Sequence, residues 1–393
     1  MISAEFLDYT MPTRTIELAE GIVKHGYQVT LLCNGGRFSK ASISSLFLNI
    51  VPAKVVKNGV TWLFPPAVHL PSGKGLLRPV LGALNIVLTL AFATLLLCLR
   101  AIDVDILCAS SAHSQGVIAS ALKALFHKEL VTDYGDPTFA RETGLMMQVS
   151  LFLERISIAR SDVVVSTDPV ISKYILSKYH KEPVFLPSGY DSALFPRAAC
   201  HSQRSLDDRF VTFVGKIDTS VYRLDILLLA SKRVVDAIPE ARFRLIGARP
   251  DIGKLKRMAS DLGVQRSIDF VGFVPHENVA SWICESEVCV HMTNDTCLGM
   301  KVMEYMVSRK PTIIAALWWN KYESVIKSGY NCITVPLDPE ALAAAILKVM
   351  RDGDYAAKLG RNAYETARHY SWDQISEGVI KEIQRIGNIT VSA

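Results

Sequence analysis

Lys301 and Glu304 stand three residues apart in the stretch T-N-D-T-C-L-G-M-K-V-M-E-Y-M-V-S-R-K-P-T-I-I (293–314), just after Gly299. The segment they begin reads as a helix that stops at Lys310-Pro311 and gives way to a short apolar run. Residues at i and i+3 share a helix face, so both side chains point toward whatever lies over the helix start. The first turn of a helix offers free N–H groups and a partial positive charge, a setting that suits phosphate. A carboxylate beside it can accept both hydroxyls of a ribose. A nucleoside diphosphate carrying a sugar is the ligand these parts suit. The competing reading of the pair, taken alone, is a solvated helical ion pair.

Four further segments occur in order along the chain: V-F-L-P-S-G-Y-D-S-A-L-F (184–195), F-V-G-K-I (213–217), F-R-L-I-G-A-R-P (243–250) and I-D-F-V-G-F-V-P (268–275). With K-V-M-E-Y-M-V-S-R-K-P (301–311) they resemble, in the same order, the motifs of glycosyltransferase family 4 in the GT-B superfamily. The likeness is dense from about residue 184 to the C-terminus and looser before it. It implies an α/β chain of two Rossmann-like domains facing across a cleft, with a last helix crossing back to the first domain. Y-S-W-D-Q-I-S-E-G-V-I-K-E-I (370–383) resembles that helix, with Trp372 as its anchor or simply as a core aromatic.

The resemblance also implies roles. Lys216, after Gly215 at a strand end, falls where family members place a base on the donor diphosphate. The second base of the family falls at Val221, and Arg223 is the nearest substitute; its other reading is an ordinary surface arginine. Gly247 and Gly299 fall at the loop glycines of the nucleotide site, and Glu304 at the ribose-binding carboxylate. The first carboxylate of that family motif falls at Thr296, beside Asp295, which serves if the loop shifts by one residue. A departing diphosphate must be neutralised by a metal or by protein cations. Lys216 and Lys301 are expected to do this with no metal and no cofactor, the nucleotide sugar being a co-substrate.

Before residue 184 the candidates are less specific. Thr13 and Arg14, in D-Y-T-M-P-T-R, open a helix and face phosphate or acceptor from its start; the alternative is a helix cap plus a surface base. V-T-D-Y-G-D-P (131–137) ends a strand, where Asp133 or Asp136 assists an acceptor hydroxyl, or Asp136-Pro137 simply forms the turn. His113, in S-S-A-H-S, also follows a strand, as a cleft residue or a capping or packing histidine. Trp318-Trp319 would stack on sugar, touch lipid or pack at an interface.

These residues are positioned by strands alternating with helices, which imply parallel sheets with helices on both faces. Ligands then bind beyond the carboxyl ends of the strands. The expected domains are 1–195 with the last helix 372–388, an acceptor-binding half, and 208–371, a nucleotide-sugar-binding half. The polar, unpatterned residues 196–208 link them.

At 393 residues with 50% apolar and 21% charged side chains, the chain fits two globular domains. Its net charge of +5 is mild and gives no case for nucleic acid. Residues 51–100 carry Lys54, Lys57, Lys74, Arg78 and Arg100 and no acid, which suits an anionic membrane surface. Pro79–Leu99 has no charge and is long enough to span a bilayer. The strands expected on either side of it belong to one sheet, which argues instead for a helix lying on the membrane or buried in the domain; Ile86, Leu90 and Leu97 are the expected outward residues. The eight cysteines show no C-x-x-C spacing and read as reduced, in keeping with the cytoplasm, and the N-terminus lacks the pattern of a signal peptide.

The function expected is retaining transfer of a sugar, from a nucleotide diphosphate-sugar to a lipid-linked or polysaccharide acceptor, at the inner face of the membrane. Retention comes from the resemblance. A dinucleotide oxidoreductase is excluded by the lack of G-x-G-x-x-G after the first strand of either half. The apolar, basic first half disfavours a sugar-nucleotide epimerase. The remaining alternative is a non-catalytic binding or assembly subunit.

Overall fold

The computed structural model describes residues 2–3, 13–33, 47–49, 52–69, 78–135, 144–195, 209–247, 251–294, 299–317 and 325–387. The chain divides into two units. The first holds Met1–Thr167, Ile171–Pro187 and Asp373–Ala393; the second holds Ser188–Trp372 with Asp168–Val170.

The strands of the first unit are β1 (Ile2–Ser3), β2 (Thr30–Cys33), β3 (Phe47–Asn49), β4 (Ala53–Lys57), β5 (Val60–Phe64), β6 (Ala67–His69), β7 (Ile106–Ala109), β8 (Glu129–Tyr134), β9 (Val163–Ser166) and β10 (Val184–Phe185). Its main sheet runs β10-β9-β8-β7-β1-β2-β5-β4. Every pairing is parallel except β4 with β5. That hairpin is not anticipated by the strand–helix alternation. Its signal is nevertheless present, since Asn58 (φ 49°) and Gly59 (φ 77°) are the left-handed pair of a tight hairpin turn.

The second unit carries β11 (Arg209–Val214), β12 (Ala241–Ile246), β13 (Ile268–Gly272), β14 (Val288–Thr293), β15 (Thr312–Ala316) and β16 (Ile333–Val335). They form one wholly parallel sheet in the order β13-β12-β11-β14-β15-β16. β14 and β15 are buried along their whole length, as expected of parallel strands covered on both faces. Beneath them Phe213, Phe243, Val290, Met292 and Ile313 pack against the helices Leu224–Ala237 and Pro339–Arg351. Helices Ser114–Phe126 and Leu224–Ala237 each bury an apolar stripe. Helix His276–Glu285 opens just past Pro275.

Helix Arg78–Cys98 is long and apolar enough to cross a membrane by length and composition, and only 11% of its window Leu81–Cys98 is buried. β2, earlier in the chain, and β7, which follows the helix, lie in one sheet. The helix packs inward through Ile86, Leu90, Phe92, Ala93, Leu96 and Leu97. Its outer stripe is Leu84, Val87, Ala91, Leu95 and Cys98, with Val87 61% exposed. The outward set expected from the sequence is therefore wrong, because Ile86, Leu90 and Leu97 face the core. With apolar residues on all sides, periodicity cannot fix the roll of this helix. Asn85 does so, its side chain bonding Val68 N at 2.8 Å and Val68 O at 2.9 Å.

Candidate functional site

β11 and β14 are neighbours from which the chain order diverges, toward β12 and β13 on one side and β15 and β16 on the other. Beyond the carboxyl ends of such a pair a parallel α/β sheet leaves a crevice for ligands. Gly215 and Lys216 follow β11; Gly299, Lys301 and Glu304 follow β14.

The glycines act through close approach. Gly247 has φ +146°, and a Cβ there would lie 1.8 Å from Gly215 O. Gly215 N donates to Ile246 O at 2.9 Å and Gly247 N to Gly272 O at 2.7 Å, which stitches three strand ends together. Lys216 is 57% exposed and pairs with Asp218 at 2.8 Å. The Lys216 hydrogen bond, helped by Ser220, holds the Asp218 carboxyl down at about 2. Asp218 caps the short helix Thr219–Tyr222, and Asp251 accepts from Thr219 N at 2.7 Å and Thr219 Oγ1 at 2.6 Å. Asn294, just after β14, donates from its N to Val221 O at 3.0 Å and from Nδ2 to Ser220 O at 2.6 Å. The loop after β11 is thus fastened to the end of β14. Arg223 is held apart from Lys216 chemistry: it makes a two-point bond with Asp225, at 3.1 and 2.9 Å.

Helix Met300–Val307 starts at the Gly299 cap. Glu304 is 2% exposed, so the pair is not a solvated one. Lys301 Nζ donates to its two oxygens at 2.8 and 2.7 Å, and His276 Nε2 lies 3.0 Å from Oε1. Burial pushes the Glu304 carboxyl up, but Lys301 and His276 more than offset this and leave it below the usual carboxylate range. The next residue, Tyr305, accepts from Val214 N at 2.8 Å and so pins this helix to the end of β11. His276 is the site residue the sequence reading misses. It stands one position beyond the F-V-G-F-V-P turn, and its partner becomes visible only once β13 and β14 share a sheet.

In the first unit the sequence candidates meet one another. Thr13 is the helix cap, its Oγ1 accepting from Ile16 N at 3.4 Å. Arg14 binds Asp133 at 2.8 Å and also donates to Pro187 O at 2.7 Å and Leu186 O at 3.0 Å. This bracket ties helix Arg14–Lys24 to the ends of β8 and β10. His113 precedes helix Ser114–Phe126 without capping it, with Nδ1 3.0 Å from Ser111 Oγ. Asp136, Asp295, Thr296, Trp318 and Trp319 lie outside the described residues.

Two D-x-D sequences occur, and neither belongs to this crevice. Asp103-Val104-Asp105 precedes β7, and Asp352, of Asp352-Gly353-Asp354, caps helix Gly353–Ala367. Among the described residues Cys33, Cys98, Cys108, Cys289 and Cys332 are free thiols. Cys284 is disulfide-bonded, against the expectation of reduced cysteines throughout.

Residues 201–366 match the family described as glycosyl transferases group 1. The match spans less than half of the chain. The fold around it is GT-B: sucrose-phosphate synthase from Thermosynechococcus elongatus superposes with a TM-score of 0.74 at 18% identity, over 95% of this chain and 92% of that one. HepE from Anabaena, solved with UDP, gives 0.70 at 13% identity over 98% and 99%. Among curated relatives, mannosylfructose-phosphate synthase of Agrobacterium fabrum is 22% identical over 65% of this chain and 60% of its own length. The phosphatidyl-myo-inositol mannosyltransferase of Mycolicibacterium smegmatis is 24% identical over 52% of each. The chain thus spans between half and two thirds of these relatives. Lys216, Lys301 and Glu304 all fall inside the matched segment, as do His276 and Asp218.

Proposed function

We propose that this chain is a retaining glycosyltransferase that moves a hexose from a nucleoside diphosphate-sugar to a lipid-linked or glycan acceptor, without a metal, at the cytoplasmic face of a membrane. The observation that carries the reading is Glu304. A carboxylate 2% exposed and kept ionised by Lys301 and His276, on a helix beyond a sheet's switch point, supports the reading that it accepts ribose hydroxyls. Lys216, exposed on the neighbouring strand end, supplies a cation for the leaving diphosphate. The similarly folded HepE, solved with UDP-glucose, supports a nucleotide donor. The lipid-linked acceptor is favoured by the relative that mannosylates phosphatidylinositol and by the apolar outer stripe of helix Arg78–Cys98, flanked by basic residues.

The test is a thermal-shift panel of UDP-, GDP- and ADP-sugars, followed by transfer from the accepted donor in excess EDTA. Stabilisation by one donor class and turnover that survives chelation are expected. No shift with any donor would leave a binding or assembly subunit. Turnover lost on chelation and restored by magnesium or manganese would overturn the metal-free reading. The anomeric configuration of the product, read by NMR, tests retention.

A further inference from the structure

His291 is the fourth residue of β14 and takes no part in the pairs described above. It is 3% exposed, and neither ring nitrogen has a hydrogen-bond partner. Val290 and Met292 belong to the apolar core beneath the sheet. Side chains alternate along a strand, so His291 lies on the opposite face, the one that meets the start of helix Met300–Val307. There its edge comes up against the helix cap: a Cβ on Gly299 would lie 3.3 Å from Cε1 and 3.8 Å from Nε2. Tyr222, from the loop after β11, packs against the ring at right angles with centroids 6.4 Å apart. Burial pushes the imidazole down to about 4. It is therefore neutral at physiological pH and keeps one N–H donor and one bare nitrogen.

Packing alone does not explain this residue. Leucine or phenylalanine would fill the space without leaving a buried polar group unsatisfied, and each such group in a native protein calls for a reason. The position supplies one. His291 sits where β11 and β14 diverge, beneath a helix N-terminus whose leading N–H groups have no partner within the helix. The cap at 299 is a residue without a side chain, which is what lets the ring edge approach.

We infer that His291 is a donor-recognition residue: with a nucleoside diphosphate-sugar seated at the mouth of helix Met300–Val307, its Nε2–H donates to an oxygen of the β-phosphate. This rests on the donor site proposed above and adds a neutral hydrogen-bond donor to its lysine cations. Such a group attracts nothing at a distance. It reads whether a second phosphate is in place.

The test uses His291→Leu and His291→Gln in the full chain, with calorimetric titration of UDP, GDP and ADP against UMP, GMP and AMP. His291→Leu should melt above the unaltered protein when no ligand is present, because the unsatisfied group is gone. It should lose about tenfold or more in affinity for the accepted nucleoside diphosphate, with the monophosphate little changed. His291→Gln, which keeps an N–H donor, should recover part of that loss. Diphosphate affinity unchanged in a folded His291→Leu would overturn the inference and leave the ring as packing. Should that variant not fold, Gly299→Ala, which pushes the ring from the helix mouth, must show the same selective loss, and its failure to do so overturns the inference equally. If the unaltered protein binds none of these diphosphates, the donor-site reading falls and takes this one with it.

Discussion

Both sheets reverse strand order once, between β1 and β7 in the first unit and at β11 and β14 in the second, yet the polar residues at their carboxyl ends are used differently. In the first unit they are engaged with one another. Arg14 closes on Asp133 and two carbonyls, and Tyr134, at the end of β8, donates to the fully buried Glu154, a helix residue that also accepts from Tyr174 and Tyr179. Burial, and then Glu154, hold the Tyr174 and Tyr179 phenols well above their ordinary range, so both remain donors. In the second unit Lys216 is 57% exposed even while paired with Asp218, and neither ring nitrogen of His291 has a hydrogen-bond partner. A Rossmann-type edge therefore offers a place for a ligand, and how fully its polar residues are already engaged bears on whether it is used. The first unit instead presents its unpartnered surface on the outside, along helix Arg78–Cys98.

The largest effects should come from the two lysines, and they should part company in stability. Lys216→Ala and Lys301→Ala are each expected to slow transfer about a hundredfold, since a cation on the β-phosphate acts mainly as the glycosidic bond breaks. Lys301→Ala also leaves the buried Glu304 with His276 alone, and breaking a buried pair costs about 3–5 kcal/mol. Lys216 is 57% exposed, and removing it should cost at most about 1 kcal/mol. Turnover rates with denaturant unfolding of both variants read this directly. Equal stability losses would mean that the two strand ends do not differ as described.

Glu304→Gln comes next. It removes a charged acceptor for ribose hydroxyls, and hydrogen bonds to charged groups contribute about 1.5–3 kcal/mol, so nucleotide affinity should fall by roughly one to two decades by calorimetry. The same variant carries a pH signature. The folded-state carboxyl lies below the usual range, so its stabilising contribution is complete above the unfolded value of about 4.3 and fades as pH falls through the lower folded value. The stability gap between Glu304→Gln and the unaltered protein should therefore be constant near neutrality and close only in acid. A gap that closes between pH 6 and 8 would assign the effect to another group.

The contrast also explains what the sequence could reveal. Strand–helix alternation, and the five motifs from Val184 to Pro311, lead to the two largely parallel sheets and to Lys216, Lys301 and Glu304, because each of these is set by neighbours a few residues away. His276 is 28 positions from Glu304, and Arg14 is 119 from Asp133; no local pattern carries those pairings. Asn58-Gly59 was legible as a hairpin turn but is masked by the dominant alternation around it. The roll of helix Arg78–Cys98 is not legible, because apolar residues surround it and a pair of bonds between Asn85 and the backbone of Val68 decides which stripe faces out.

That helix supplies a prediction for the first unit. Replacing Leu84, Val87 and Leu95 with Gln should release the protein from anionic liposomes several-fold while the melting temperature holds, since these side chains are exposed. The same change at Ile86, Leu90 and Leu97 should instead destabilise the fold, because those residues pack on the core. Sedimentation with vesicles alongside thermal unfolding separates the two. Binding indifferent to the first set and to salt would move the membrane contact elsewhere.

The smallest effect is expected at Arg223, and it sharpens the count of cations in the second unit. Its backbone is left-handed, at φ 44°, a conformation that costs a residue with a Cβ roughly 1 kcal/mol. Its guanidinium lies 41% exposed against Asp225 in the first turn of helix Leu224–Ala237, a surface pair worth about 0–1 kcal/mol. Arg223→Ala should therefore change turnover by less than about threefold and stability only slightly, while Arg223→Gly should be the more stable of the two. A rate loss in Arg223→Ala equal to that of the lysine variants would give the opposite result. Because the bond to Asp225 is solvent-screened, little opposes its exchange for a diphosphate, and such a loss would mean that donor binding draws Arg223 across. The loop after β11 would then hold two cations, and the second would stand two positions past Val221.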